Sequence, residues 1–397
     1  MTADWPKHLA GRFGTKKPRK LLAIDGGGIR GVLSLELLAA MEAQIKEATG
    51  AACLGDYFDY IAGTSTGAII AAGLAIGMST QELLKFYEDF GAQMFEKTSL
   101  MERVTSLLSS LYEDEPLAAK LKEIFHDGGN PRKPADLTTD RLRTLLLVVA
   151  RNVTTDSPWP ISTNPFAKYN DCSRDDCNLH MPFWQLVRAS TAAPVYFPPE
   201  VVRLNKKKPN DIRVFVDGGV TPYNNPAFLL YRMATQPAYR LNWETGERNL
   251  LLISVGTGAA PSITQATSRN VLGNMQNLPG ELMYAIQVEQ DINCRTFGRC
   301  VHGAEIDREM GDLVLAPEDE NKEAQHDHGR FFRYARYNAD LSEKGLAALN
   351  LSDIVPAAVQ QLDAVDQIPN LRRIGAAVAK RDLRDFRQHL GPFLTEK

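Results

Sequence analysis

Cysteine is scarce in this sequence. Cys53, Cys172, Cys177, Cys294 and Cys300 are the five among 397 residues, an odd set without a C-x-x-C pair. Such a set argues against a disulfide framework and against a zinc site, and fits a reducing cytoplasm. A strong charge of one sign is missing too: 45 Lys and Arg face 48 Asp and Glu, for a formal net charge of −3. Nothing here pulls the whole chain toward a nucleic-acid polymer, and the short basic runs TKKPRK (15–20) and NKKKPN (205–210) read as solvated loops. Long apolar runs are absent as well. The first residues hold no stretch fit for the core of a signal peptide, 61–78 is interrupted by Thr64, Ser65, Thr66 and glycines, and LLLVVA (145–150) is too short to span a bilayer. The expectation is a cytoplasmic protein that meets lipid, if at all, from the aqueous side. No internal repeat or low-complexity tract is visible, and HDH (326–328) lies in a polar run that reads as a solvated loop.

What is present is material for a core, 44% of the residues being hydrophobic. KLLAID (20–25) is a short apolar run ending in glycines, and 32–50 then carries apolar residues on a helical period with Gly50 placed to cap it. The order recurs in YFDYIAG followed by TGAIIAAGLAIG, and two strand–turn–helix units in series predict a parallel sheet covered by helices. Ser79 and Glu82 form a capping box for the next helix, and Pro116 opens another. The stretch 101–112 has a helical apolar face, read as core-facing with a lipid-touching lid as the alternative. Buried strands are predicted within 143–152, 211–219 and 248–258, a polar irregular segment over 152–180, and a more helical, more polar part beyond about 260, apart from RFFRYARYN (330–338).

Chemistry concentrates at the ends of these predicted strands. Gly63, Ser65 and Gly67 make a G-x-S-x-G elbow between a strand and a helix, a turn that presents a serine hydroxyl where the helix N-terminus favours negative charge. DGGGIRG (25–31) offers consecutive glycine N–H groups able to converge on an oxyanion. A dinucleotide-binding reading of Gly26, Gly28 and Gly31 needs an acid at the end of a second strand about 20 residues on, where this sequence is helical instead. FVDGG (215–219) ends a strand in Asp217, expected at the same edge of the sheet as Ser65. Of the seven histidines, His180 and His302 are the ones that could complete a conventional triad, but neither has a comparable glycine setting. The proton of Ser65 is therefore expected to pass to Asp217, whose basicity rises in a cleft that excludes water.

DGGGIRG, GTSTG and DGG in this order resemble the patatin-like phospholipases, as do RASTAAPVYFPP (188–199) and GVTPYNNPA (219–227) on either side of Asp217. The resemblance covers roughly residues 18–260. It implies an α/β fold of three layers, α/β/α, with a mainly parallel central sheet. Residues 18–260 would be the catalytic core, and 261–397 a more helical C-terminal part completing or capping the same domain. It implies Ser65 as nucleophile, Asp217 as base, Gly26, Gly27 and Gly28 in the oxyanion loop, and Arg30 holding that loop or a substrate phosphate. It further implies an acyl hydrolase without cofactor or metal, acting on membrane phospholipid through peripheral contact with the inner face of the membrane. FFRYARYNADL (331–341) is similar to a late strand of the fold rather than a ligand site. The overall chain also resembles the cyclic-nucleotide-activated phospholipase effectors of anti-phage signalling, which implies a cyclic dinucleotide activator and admits a homo-oligomer. A constitutive lysophospholipase is the alternative within enzymes, and a catalytically silent binding module the alternative outside them.

Overall fold

The computed structural model describes residues 5–14, 17–94, 115–194, 196–205, 207–208, 210–259, 271–306 and 329–394. The stretch 101–112 and HDH (326–328) lie outside these residues. In chain order the elements that matter are β1 (Arg19–Ile24), α1 (Gly31–Thr49), β2 (Tyr60–Thr64), α2 (Thr66–Ala75), α3 (Thr80–Met94) and α4 (Glu115–Ile124). There follow β3 (Leu145–Asn152), β4 (Ser157–Ser162), α5 (Phe183–Ser190), β5 (Glu200–Val202), β6 (Arg213–Asp217) and α6 (Ala227–Thr235). The last are β7 (Leu250–Val255), α7 (Val271–Phe297), β8 (Arg299–His302), β9 (Arg333–Tyr337) and α8 (Ile368–Asp382).

The nine strands named form one sheet in the order β8-β9-β7-β1-β2-β3-β6-β5, with β4 also paired to β3, and among the described residues His126–Asp127 and Asn130–Pro134 make a separate two-stranded hairpin. The six strands from β8 to β3 are parallel, whereas β4, β5 and β6 pair antiparallel. The fold is thus α/β with a largely parallel sheet. Strands buried on both faces call for mostly apolar residues, and β1, β2 and β7 are buried along their whole lengths. Helices α1, α3 and α8 pack together, with α2 over β1, β2 and β3, while α6 packs over β1, β2 and β7 and against α7. Gly50 ends α1 in the left-handed conformation, φ 69°, as its position at the end of the apolar period predicts. The capping box also forms, Glu82 accepting from the Ser79 N–H at 2.7 Å and Ser79 Oγ accepting from the Glu82 N–H at 3.2 Å.

Three expectations need correction. Arg19 and Lys20, at the end of the basic run read as a solvated loop, are buried: they open β1 and gather with Arg12 around Asp59. Burial alone raises the Asp59 carboxyl, but these three cations outweigh it and hold it below the usual carboxylate range. The irregular segment 152–180 contains β4, hidden from a propensity reading by Pro158 and Pro160, which a strand at the sheet's margin tolerates. Beyond 260, in the part expected to be more helical, β8 is a strand the sequence reading did not name, while β9 falls in RFFRYARYN as expected, and both extend the central sheet on the side of β7. Among the described residues no helix is long and apolar enough to cross a membrane.

Candidate active site

The register of β3 brings Ser65 and Asp217 together. β4 pairs with β3 from Leu147 to Asn152, so it fills one edge of that strand. β2 pairs with Leu145 to Val149 and β6 with Ala150 to Asn152, both overlapping β4, so both occupy the opposite edge. Running in opposite directions along that edge, they meet end to end: Thr64 lies opposite Val149 and Asp217 opposite Ala150. Across the junction Ser65 Oγ donates to Asp217 Oδ2 at 2.6 Å. The sequence reading expected Asp217 at a strand end on the same edge of the sheet as Ser65, and left the direction of that strand open. The strand is antiparallel, and its end reaches Ser65 from the other side.

Ser65 adopts φ 56° and ψ −125°, a region that non-glycine residues rarely occupy, as a sharp elbow between β2 and α2 demands. The flanking glycines are required by close approach. A Cβ on Gly63 would lie 2.0 Å from the Gly67 carbonyl oxygen, and one on Gly67 would lie 2.3 Å from that of Ile24. Ser65 remains half-buried, with its hydroxyl at the N-terminus of α2.

Asp217 is buried, and desolvation pushes its carboxyl up to about 6. The hydrogen bond from Ser65, one from the Gly219 N–H at 2.6 Å and the charge of Arg188 all act in the opposite direction without cancelling that rise. A carboxylate with this proton affinity is a better base than one in water, yet it is still ionised at neutral pH. Sequence reasoning missed Ser190, the last residue of α5. The Ser65 N–H donates to Ser190 Oγ at 2.9 Å, and Ser190 Oγ donates to the Val149 carbonyl at 2.6 Å. The fully buried hydroxyl thus fills the gap in the ladder where β2 stops and β6 has not begun. It stands within RASTAAPVYFPP, but only the register of β3 reveals its partners.

The glycine loop between β1 and α1 passes next to Ser65, since a Cβ on Gly26 would come within 3.1 Å of Ser65 Cβ. The Gly26 N–H is committed to the Asn224 carbonyl at 3.0 Å, and the Gly26 carbonyl accepts from Thr257 Oγ1 at 2.8 Å. Gly26 therefore anchors the loop, and the N–H groups of Gly27 and Gly28 make no hydrogen bond among the described residues. Gly28 has φ 58°, and a Cβ there would sit 2.2 Å from the Leu362 carbonyl, which accepts from the Ile29 N–H at 2.8 Å. Arg30 turns back on the loop, its Nε donating to the Gly27 carbonyl at 3.4 Å. Desolvation lowers this guanidinium to about 10 despite the attraction of Asp25, so it stays charged at neutral pH.

Neither histidine candidate joins this arrangement. His180 faces Asp136 at 3.8 Å, and His302 stacks between Tyr337 and His389. Among the described residues one group has metal-ligand geometry, Cys172, Cys177 and His180, with donor atoms within 4.8 Å of one another.

An α/β sheet with a serine on a strained strand-to-helix elbow, hydrogen-bonded to a buried aspartate beside a glycine loop, has the layout of a nucleophile-elbow protein. Residues 22–231 match the Patatin-like phospholipase family, and the chain belongs to that family. It is 28% identical over 253 residues to Patatin-17 of Solanum cardiophyllum, covering 60% of each chain. It is 29% identical over 248 residues to the cGAMP-activated phospholipase of Escherichia coli (strain TW11681), covering 61% of this chain and 63% of that one. To the intracellular phospholipase A2 of Caenorhabditis elegans it is 30% identical over 266 residues, 63% of this chain and 20% of that one. The aligned part spans about 60% of the length of the patatins it matches.

Proposed function

We propose that this protein is a phospholipase, a serine-dependent acyl hydrolase that cleaves ester bonds of membrane phospholipids with Ser65 as nucleophile and Asp217 as base. The 2.6 Å hydrogen bond from Ser65 Oγ to Asp217 Oδ2 carries this reading. Oγ attacks the ester carbonyl while its proton passes to Asp217. The oxyanion is received by the N–H groups of Gly27 and Gly28, with Gly26 as the anchor of the loop. The tetrahedral intermediate collapses, the lysolipid oxygen leaves with the proton from Asp217, and an acyl-Ser65 remains. Water, deprotonated by Asp217, then releases the fatty acid and restores the serine. Arg30 keeps the loop in shape through the Gly27 carbonyl, and its charge suits a substrate phosphate.

The similarity to a cGAMP-activated phospholipase supports a narrower reading. The enzyme would be an effector of the CapV type, silent until a cyclic dinucleotide binds away from Ser65, and then active on the inner face of the membrane in anti-phage defence. A silent resting state protects the cell's own bilayer, and an activator achieves it only by binding the active form more tightly. The test is fatty-acid release from phospholipid vesicles with a panel of cyclic dinucleotides and without them. Activity confined to one nucleotide supports the effector. Full activity without any supports the constitutive lipase, and no difference between wild type and Ser65→Ala points to the silent module.

A further inference from the structure

Cys172 and Cys177 stand apart from the hydrolytic arrangement, in the segment 163–182 between β4 and α5, and the fold brings their Sγ atoms to 2.7 Å. The backbone around them is fixed from several sides. Asn170 Nδ2 donates to the carbonyls of Ser162 and Asn164 at 2.6 Å, the Asn178 N–H donates to the Tyr169 carbonyl at 2.9 Å, and the Leu137 N–H to that of Leu179 at 3.1 Å. Cys177 is 1% exposed and Cys172 half-buried. His180 places a ring nitrogen within 4.8 Å of the sulfurs.

Two thiols and an imidazole could serve a thiophilic metal or a disulfide, and the sulfur separation decides between them. Two thiolates on a tetrahedral zinc, each about 2.3 Å from the metal, stand about 3.8 Å apart, whereas a disulfide needs about 2.05 Å. From 2.7 Å, closing the bond takes a shift of well under an ångström, while a metal would have to force the sulfurs apart by about an ångström.

We propose that Cys172 and Cys177 form a redox-modification site, oxidised to a disulfide by a hydroperoxide such as hydrogen peroxide. The Cys172 thiol gives its proton to solvent and its sulfur attacks a peroxide oxygen. The O–O bond breaks, leaving a sulfenic acid on Cys172, and the departing hydroxide gains a proton to become water. The Cys177 sulfur then attacks the Cys172 sulfur, and its proton leaves with the displaced hydroxide as a second water. The dithiol has lost two electrons and two protons, and the peroxide has been reduced to two waters. The half-buried thiol meets the oxidant and the buried one resolves it, so the pair closes before further oxidation. A thiol reductant reverses the change.

Trypsin makes the test direct, because Arg174 lies between the two cysteines and cleavage there leaves the peptides Tyr169–Arg174 and Asp175–Arg188. After hydrogen peroxide the intact mass of the full chain should fall by about 2 Da, the loss of two hydrogens. An unreduced digest should then contain these two peptides joined, and dithiothreitol should separate them. Cys172→Ser should not yield the joined pair. Unlinked peptides carrying sulfinic acid would overturn the proposal, as would a cross-link to Cys53, Cys294 or Cys300. So would thiols shielded by one zinc per chain that only a chelator removes. The wild-type digest decides the matter even where a variant folds poorly, and because no hydrolysis is read, the result is independent of the proposed phospholipase activity.

Discussion

Arg336 of β9 clasps Asp25 at the end of β1, Nη1 donating to Oδ1 at 2.9 Å and Nη2 to Oδ2 at 2.5 Å, across 311 positions of sequence. Both side chains are buried, and Nη1 donates further to Ser254 Oγ at 2.7 Å on the intervening strand β7. Burial works against the guanidinium, yet the Asp25 carboxylate outweighs it and raises its pKa, so Arg336 stays protonated. Asp25 immediately precedes Gly26. With Leu362 touching the same loop from beyond Gly28, the far end of the chain sets the shape of the glycine loop near its beginning.

Arg336→Met leaves the Asp25 carboxyl buried without its cation and should destabilise the protein by about 3–5 kcal/mol in denaturant unfolding. Burial already holds the Asp25 carboxyl above its usual range against the pull of Arg336, and without that partner it rises further. The folded state then prefers the protonated acid, and the deficit should grow as pH rises from 5 to 8. Adding Asp25→Asn should recover most of the loss. A deficit that is the same at both pH values would contradict this account.

Ser65→Ala and Asp217→Ala should each abolish ester hydrolysis, and the double variant should lose nothing further, because attack and proton transfer act as one unit. Circular dichroism should show folded protein in all three. Near-native turnover in Asp217→Ala, with loss on changing His180 or His302, would reassign the base.

The raised pKa of Asp217 has two consequences of opposite kind. With Asp217 as the proposed base, the carboxylate is the active form, so turnover should rise through pH of about 6 and level off above it. Stability runs the other way. The fold prefers the protonated acid, a preference fully expressed below about pH 3.9, the unfolded value, and lost as pH climbs through about 6. The interval corresponds to about 3 kcal/mol. Asp217→Asn should therefore be inactive yet more stable than wild type at pH 8, by an amount of that order. The advantage should vanish below pH of about 4 when the two are melted side by side.

Ser190→Ala removes the hydroxyl that links the Ser65 N–H to the Val149 carbonyl and leaves both groups without that bridge. A nucleophile displaced by a fraction of an ångström costs rate more than binding, so kcat should fall by about tenfold to a hundredfold with little change in KM. Ser190→Thr should recover part of it. A rise in KM at constant kcat would remove Ser190 from this role.

A Cβ on Gly27 would meet Thr257 Oγ1 at 2.1 Å, so Gly27→Ala must shift the loop and its N–H groups. The expected cost is about 3 kcal/mol in the barrier, the worth of one oxyanion donor. Paired with Thr257→Ala, which opens space for the methyl group, part of the loss should return.

The elements whose identity depends on neighbours in sequence were legible beforehand. The apolar run of β1, the helical period of α1 with Gly50 behind it, and the reciprocal bonds of Ser79 and Glu82 are local, and local patterns encode them. The serine elbow and the strand ending in Asp217 were legible because glycine spacing is itself local. The direction of β6 was not, since an antiparallel strand carries the same apolar residues as a parallel one. β4 was obscured by its prolines, and Arg19 and Lys20 are buried only because Asp59 waits beside them. Ser190, Arg336 and Leu362 reach the site through pairings that span much of the chain, and no short window of residues records them.

The end-to-end meeting of β2 and β6 on one edge of β3 also determines what is free to change in this architecture. The spacing of serine and aspartate is gauged by a single residue step on β3, from Val149 to Ala150, about 3.3 Å. A one-residue slip of either strand would part them, whereas the chain between α2 and β3 can lengthen or shorten without touching that gauge. The invariant distance and the adjustable excursion are carried by different stretches of polypeptide. New entrances for substrate, or new surfaces for a controlling ligand, can therefore be built into that excursion while Ser65 and Asp217 keep their separation.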